Sequence, residues 1–209
     1  MRIDFVSDVA CPWCAVGLNA LERALARTDG ALGEVELHMQ PFELNPTMPP
    51  EGANAAQYLK SKYGLSDEQL AANRARIVER GAAEGFAFGV REHVWNTFDA
   101  HRLLHWALVE GAAGSQRALK HALLHAYHGQ GRNPGAHDVL LELATQVGLP
   151  VGRAREVLAS GVDQGGNPIQ PFIDADGGWP MRCCLADSLP GDEVAIIAWS
   201  PFRWQGPYR

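Results

Sequence analysis

The sequence predicts an α/β protein whose small sheet is interrupted by a long helical insertion, and three features carry that prediction. A β-forming run with Ile3, Phe5 and Val6 opens the chain and stops at Asp8. An amphipathic helical stretch follows, then a second run, Val35 to Phe42, that alternates in polarity. From Asn54 to Ser160 helical signals predominate, before β-formers return at Val194-Ala195-Ile196-Ile197-Ala198-Trp199.

The first helix is read over Ala15 to Arg27, where Val16, Leu18, Leu21, Ala24 and Leu25 form one apolar stripe and Gly30 and Gly33 end the region. The second strand leaves through a loop, Asn45-Pro46-Thr47-Met48-Pro49-Pro50. Ala55 to Tyr63 is a short helix closed by Gly64. Ser66, with Gln69 at the capping-box position, starts a helix running to about Glu84. Phe86-Ala87-Phe88 reads as a short extended piece. Asn96 or Thr97 caps a helix through Glu110, and further helices fit Ser115 to His128, His137 to Val147 and Val151 to Ala159. Beyond Ser160 a loop over Gly161 to Asn167 precedes a short strand, Ile169 to Asp174, which Gly177-Gly178-Trp179-Pro180 breaks. The chain thus divides into a first part of the core (1–50), a helical insertion (51–160) and an atypical return to the core (161–209).

A chain of 209 residues, 46% hydrophobic and 20% charged, buries a sizeable core. Its formal charge of -6 argues against nucleic acid or an anionic membrane as partner, since both reward a basic surface. No apolar run approaches the roughly 20 residues of a membrane-spanning helix. The acid-containing start, Met1 to Asp8, is too short for a signal-peptide core, so the expected location is cytoplasmic.

Four cysteines are too few for a secreted disulfide scaffold. Cys183 and Cys184 are adjacent and offer two tetrahedral corners poorly, so a zinc site is disfavoured and no metal is expected. Cys11-Pro12-Trp13-Cys14 is different, because it sits directly between a strand and an amphipathic helix. There the unpaired N–H groups and the positive end of the helix dipole favour a thiolate at Cys11. In such sites the attacking thiol falls from about 8.5 to about 3.5–7. The reading is thiol–disulfide exchange, with Cys11 exposed as nucleophile and Cys14 covered as resolving thiol. Pro12 removes an N–H near the sulfur and Trp13 adds an apolar cover. The dithiol needs no cofactor.

Other candidates are weaker. His101 and His105, like His121 and His125, are spaced to share a helix face, but no metalloprotease pattern surrounds them. With His93, His128 and His137 they read as surface or partly buried side chains. Trp95, Phe98, Trp106 and Tyr127 read as core or groove-lining residues.

Four blocks in order resemble the DsbA-like thioredoxin family: Ile3 to Asp8, Cys11 to Cys14, Gln40-Pro41-Phe42-Glu43-Leu44-Asn45-Pro46, and Asn96 to Leu103. The nearest branch resembles the FrnE-type cytoplasmic oxidoreductases, related to 2-hydroxychromene-2-carboxylate isomerase and kappa-class glutathione transferases. The resemblance spans about Arg2 to Ser160. It implies a thioredoxin core with a helical insertion, a dithiol at Cys11 and Cys14, and protein or small-molecule thiols and disulfides as partners. Glutathione is a candidate co-substrate. Relatives that isomerise or transfer carry a serine-type group at the position of Cys11, so a cysteine there favours dithiol redox. By resemblance Pro12, Trp13, Asn45 and Asn96 are groove residues. The superfamily's cis-proline is matched best by Pro171 in Gln170-Pro171-Phe172-Ile173-Asp174, with Pro168 second. Alternative readings are a glutathione-dependent isomerase or transferase, and a redox-inactive binding or chaperone-like module.

Overall fold

A computed structural model describes residues 1–160 and the strand Val194–Ala198. Strand β1 (Arg2–Ser7) lies at the centre of a three-stranded parallel sheet, between β2 (Glu36–Pro41) and β5 (Val194–Ala198). Register sets Phe5 opposite Met39 on one side and Ile197 on the other. Ile3, Asp4, Phe5 and Ser7 are all buried, as a strand covered on both faces requires. The return of the chain at Val194 is where β-forming composition places it.

Helix α1 (Pro12–Arg27) is the crossover between β1 and β2. It begins three residues before the predicted Ala15, because Pro12 occupies the first helical position, where its missing N–H costs nothing. Only its first half, Cys14 to Leu18, is fully buried.

The insertion opens with β3 (Ala53–Asn54), paired antiparallel to β4 (His93–Val94). Neither was expected, since two residues carry no detectable period. Helix α2 (Ala55–Tyr63) has Asn54 accepting from Gln57 N–H at its start and Gly64 at φ 65° at its end. Helix α3 (Asp67–Ala83) carries the predicted Ser66–Gln69 capping box in full. Phe86 to Phe88 is loop rather than strand. Phe86 N–H bonds back to Gly81 O, and its ring enters the core.

Helices α4 (Phe98–Val109), α5 (Ser115–Leu124), α6 (His137–Gln146) and α7 (Val151–Ala159) form the body of the insertion. The helix expected to run from Ser115 to His128 instead changes to a π-turn over His125–Gly129, where Gln130 N–H reaches back to His125 O at 3.1 Å. Gly129 O then lies so close to Gly89 that a Cβ there would stand 2.0 Å from it. Arg102 ties α4 to the end of α7 through the carbonyls of Val157, Leu158 and Ser160.

Leu103, Leu119, Leu123 and Leu140 are fully buried at the centre of the insertion, each contributing about 1.5–3 kcal/mol. Val9 and Ala10, in the turn before Cys11, belong to that same cluster. Cys11 and Cys14 belong to a second one with Phe5, Leu18, Met39, Phe86 and Leu124. The turn carrying the cysteines is therefore packed between the sheet and the insertion. The edge of β2 is closed by Gln116, whose side chain accepts from Met39 N–H and donates to Met39 O, both at 2.9 Å.

Candidate active site

Cys11 is the N-cap of α1, with extended backbone, and Cys14 N–H bonds its carbonyl at 3.1 Å. The two thiols are free and neighbouring. A hydrogen bond from Cys14 holds the Cys11 thiol below its ordinary range, and the N–H groups of Cys14 and Trp13 add to this against the cost of burial. The Cys14 thiol is driven well up by the same bond, by burial and by the charge on Cys11. One correction concerns access: Cys11 was expected exposed, yet it is 7% exposed and Cys14 3%. Trp13, half-buried, and Phe86 from the insertion pack on that side, and sequence periodicity does not register such tertiary cover.

The turn from Ser7 to Cys11 is clamped from the insertion. Lys120 Nζ donates to Ser7 O at 3.4 Å, His128 Nε2 to Val9 O at 2.9 Å, and Arg91 to Ala10 O at 3.1 Å. Cys11 N–H donates to Asp8 O at 3.3 Å. Each carbonyl approaching the cysteines thus has a donor, which fixes the entry angle of α1.

Asp8 is the hub. Its Oδ1 accepts from Ala10 N–H at 3.0 Å, Thr97 Oγ1 at 2.7 Å and His101 Nε2 at 3.1 Å, and its Oδ2 accepts from Leu44 N–H at 2.6 Å. Burial opposes its charge, but His101 and these N–H donors outweigh it and hold the carboxyl below the usual range. His101 is itself pushed down by burial, more than Asp8 raises it, so a neutral imidazole donates to a carboxylate at neutral pH. Lys120, fully buried, is also pushed down by burial, while Cys14, Asp8 and Cys11 act to keep it charged.

His101 and His128 correct the expectation that the histidines are surface or partly buried, since both are sealed in the interior. Burial, with the Arg91 guanidinium beside it, pushes His128 down to about 3. A depressed pKa contributes stability that is fully present above the unfolded value and lost as the pH falls from about 6.5 through about 3. His128→Gln keeps a donor for Val9 O without a titrating ring. Urea unfolding between about pH 7 and about pH 4 is expected to show a smaller acid-driven loss in the variant, by about 1–3 kcal/mol. Equal losses would remove His128 from the acid response.

The other sequence candidates are placed as follows. Pro12 is partly buried at the helix start, and Trp13 lies under the Arg76 guanidinium of α3, 5.9 Å from the ring centre. Asn45 Oδ1 accepts from Tyr58 Oη at 2.8 Å and Lys62 Nζ at 2.7 Å, so its carbonyl end is already engaged. Asn96 donates to Met48 O at 3.1 Å and accepts from Phe98 N–H at 2.8 Å, tying the 45–50 loop to the start of α4. Pro171, Pro168, Cys183 and Cys184 lie outside the described residues, as does the strand expected over Ile169 to Asp174. Among the described residues no group of three or more His, Cys, Asp or Glu is placed to hold a metal, and no helix is long and apolar enough to cross a membrane.

Sequence reasoning missed Asp8, Arg91, Lys120 and the burial of His101 and His128. One signal was available: Gln116, Leu119, Lys120, Leu123 and Leu124 form the buried stripe of α5, and a lysine inside an apolar stripe needs an internal partner.

A parallel sheet with a crossover helix headed by two cysteines, and a helical insertion closing over them, is a thioredoxin fold of the DsbA kind. The chain belongs to the DSBA-like thioredoxin domain family, whose pattern matches residues 2–165. A probable DsbA oxidoreductase of Streptomyces coelicolor is similar at 37% identity and TM-score 0.70, covering 77% of this chain and 68% of that one. The cytosolic disulfide reductase DsbM of Pseudomonas aeruginosa, solved with GSH, shares the fold at 17% identity and TM-score 0.50, over 79% of this chain and 73% of its own. A 2-hydroxychromene-2-carboxylate isomerase shares it at 17% identity and TM-score 0.50, over 77% and 72%. No curated protein sequence matches the chain.

Proposed function

We propose that the protein is a thiol–disulfide oxidoreductase working through Cys11 and Cys14. The observation that carries this reading is a pair of free thiols at the head of α1, Cys11 as its N-cap and Cys14 in its first turn, where the surroundings draw Cys11 toward thiolate and hold Cys14 as thiol. The Cys11 thiolate attacks one sulfur of a substrate disulfide, forming a Cys11–substrate disulfide and releasing the other sulfur as a thiolate that takes up a proton. Cys14 then gives up its proton and attacks Cys11 Sγ. The Cys11–Cys14 disulfide forms, the second substrate thiolate leaves and is protonated, and two electrons have passed from the pair to the substrate. Run backward, the same steps oxidise a substrate dithiol. The pair holds both electrons itself, so no cofactor is needed.

Protein and small-molecule thiols and disulfides are the substrates this chemistry accepts, glutathione among them. A cysteine rather than a hydroxyl at position 11 favours redox exchange over isomerisation or group transfer. A cytoplasmic setting, where the thiol pool would keep the pair reduced, fits the same reading. Thiolate absorbance near 240 nm followed against pH tests it. One group is expected to ionise below the free thiol's value of about 8.5 and to vanish in Cys11→Ser, with the second ionising far above it. A lone midpoint at or above the free-thiol value would overturn the proposal.

A further inference from the structure

One concavity is lined by neither Cys11 nor Cys14. A cleft of about 440 Å³ opens between the loop after β2 and the start of α4, lined by Glu43, Pro46, Met48, Asn96, Phe98, Asp99 and Asn133 among others. That volume admits a whole side chain with its flanking backbone. Among the described residues no cysteine, lysine or arginine lines it.

Its chemistry is set by Glu43. The side chain is 2% exposed, yet Glu43 Oε1 has no hydrogen-bond partner. A buried carboxyl without a donor costs free energy and is rare in folded proteins. Asp99, also at the cleft, is already engaged: Oδ1 accepts from Arg102 at 2.8 Å and Oδ2 meets His137 Nε2 at 2.7 Å. Asn133 Oδ1 accepts from Gly135 N–H at 2.8 Å. The unmet demand in the cleft is therefore for a donor, at an acidic floor, between apolar walls of Pro46, Met48 and Phe98.

We propose that this cleft is a recognition site for an alkylguanidinium or alkylammonium group, seated with its charge on Glu43 and its methylenes against Pro46, Met48 and Phe98. The group belongs either to an arginine or lysine side chain of a polypeptide or to a free small cation. Burial, with Asp8 and then Asp99 nearby, pushes Glu43 up to about 7, so near neutral pH its carboxyl is close to half-protonated. The charged groups facing it are Asp8, which His101 contacts, and Asp99 with its partners Arg102 and His137. Binding a cation favours the ionised carboxylate and releases a proton, so affinity rises with pH through about 7.

Calorimetric titration of the full chain tests this with three probes: acetyl-arginine amide, its neutral isostere acetyl-citrulline amide, and a Gly-Gly-Arg-Gly-Gly peptide. Arginine amide is expected to bind about tenfold tighter at roughly pH 8 than at roughly pH 6, and the citrulline analogue about tenfold weaker than arginine. In Glu43→Gln, which preserves size, the arginine preference and the pH slope should both disappear. The peptide arm separates the sources: tighter binding than the amide assigns the site to polypeptide side chains, and weaker binding to free cations. The Glu43 carboxyl ¹³C resonance should move on adding the amide, a readout independent of any variant. Equal binding of citrulline, an unchanged affinity in Glu43→Gln, or no heat and no resonance shift would each overturn the proposal. None of these readouts involves electron transfer, so failure here leaves the disulfide-exchange reading untouched.

Discussion

Cys11→Ser will lose disulfide reduction by roughly three orders of magnitude or more, whereas Cys14→Ser will stop one step later, as a mixed disulfide. The difference follows from the acidity split. Cys11 holds the thiolate, so replacing it with a hydroxyl that ionises far above neutral pH removes the nucleophile altogether. Cys14 ionises with difficulty and acts only after Cys11 has been captured. With serine at 14 the first attack survives, somewhat slowed because the thiol that hydrogen-bonds Cys11 is now a hydroxyl. Insulin reduction measures turnover, and mass spectrometry after exposure to oxidised glutathione measures the trapped adduct. Stable adduct on Cys14→Ser and none on Cys11→Ser is the expected pattern. Adduct on Cys14 in the Cys11→Ser protein, with turnover retained, would reverse the roles.

What the sequence made legible, and what it did not, follows from the range of the interactions. The capping box at Ser66, the exit of α2 at Gly64 and the limits of α7 are local chemistry, and composition placed them correctly. The strands of the three-stranded sheet were legible as β-forming runs, including the late return at Val194, whereas the two-residue strands β3 and β4 were not. The surroundings of the cysteines were not, because Lys120, His128, His101 and Thr97 reach Ser7, Val9 and Asp8 across 89 to 119 residues of chain. Hydrophobic period reports which face of a helix is inside, but not which polar group waits there. Asp8 looked like a strand terminator, which it is; only the fold shows that its carboxylate also binds Leu44, Thr97 and His101. The π-turn escaped for a similar reason, since it packs against a segment distant in sequence, where Gly89 N–H bonds His128 O at 2.9 Å.

The buried charges beneath the cysteines make the sharpest energetic prediction. Asp8→Asn will lower stability by about 3–5 kcal/mol, and Lys120→Met by a comparable amount, because Asp8 is among the charges that keep the buried Lys120 ionised and each change removes part of that compensation from the interior. In Asp8→Asn the amide also cannot satisfy N–H donors on both of its ends, so either Leu44 or Ala10 loses its acceptor. The double variant removes both charges and should cost little more than one single change, since an uncharged pair of similar volume escapes desolvation. On the thiols the two variants act in opposite directions. The Asp8 charge raises Cys11, so Asp8→Asn makes it more acidic. Lys120 lowers Cys14, so Lys120→Met drives that thiol higher still and slows resolution of the mixed disulfide. Urea unfolding of both singles and the double, with thiolate absorbance for each, reads both effects. Additive destabilisation would mean that the two charges do not sense one another, and thiol shifts of the same sign would mean that their influence runs through the backbone of the turn rather than through their charge.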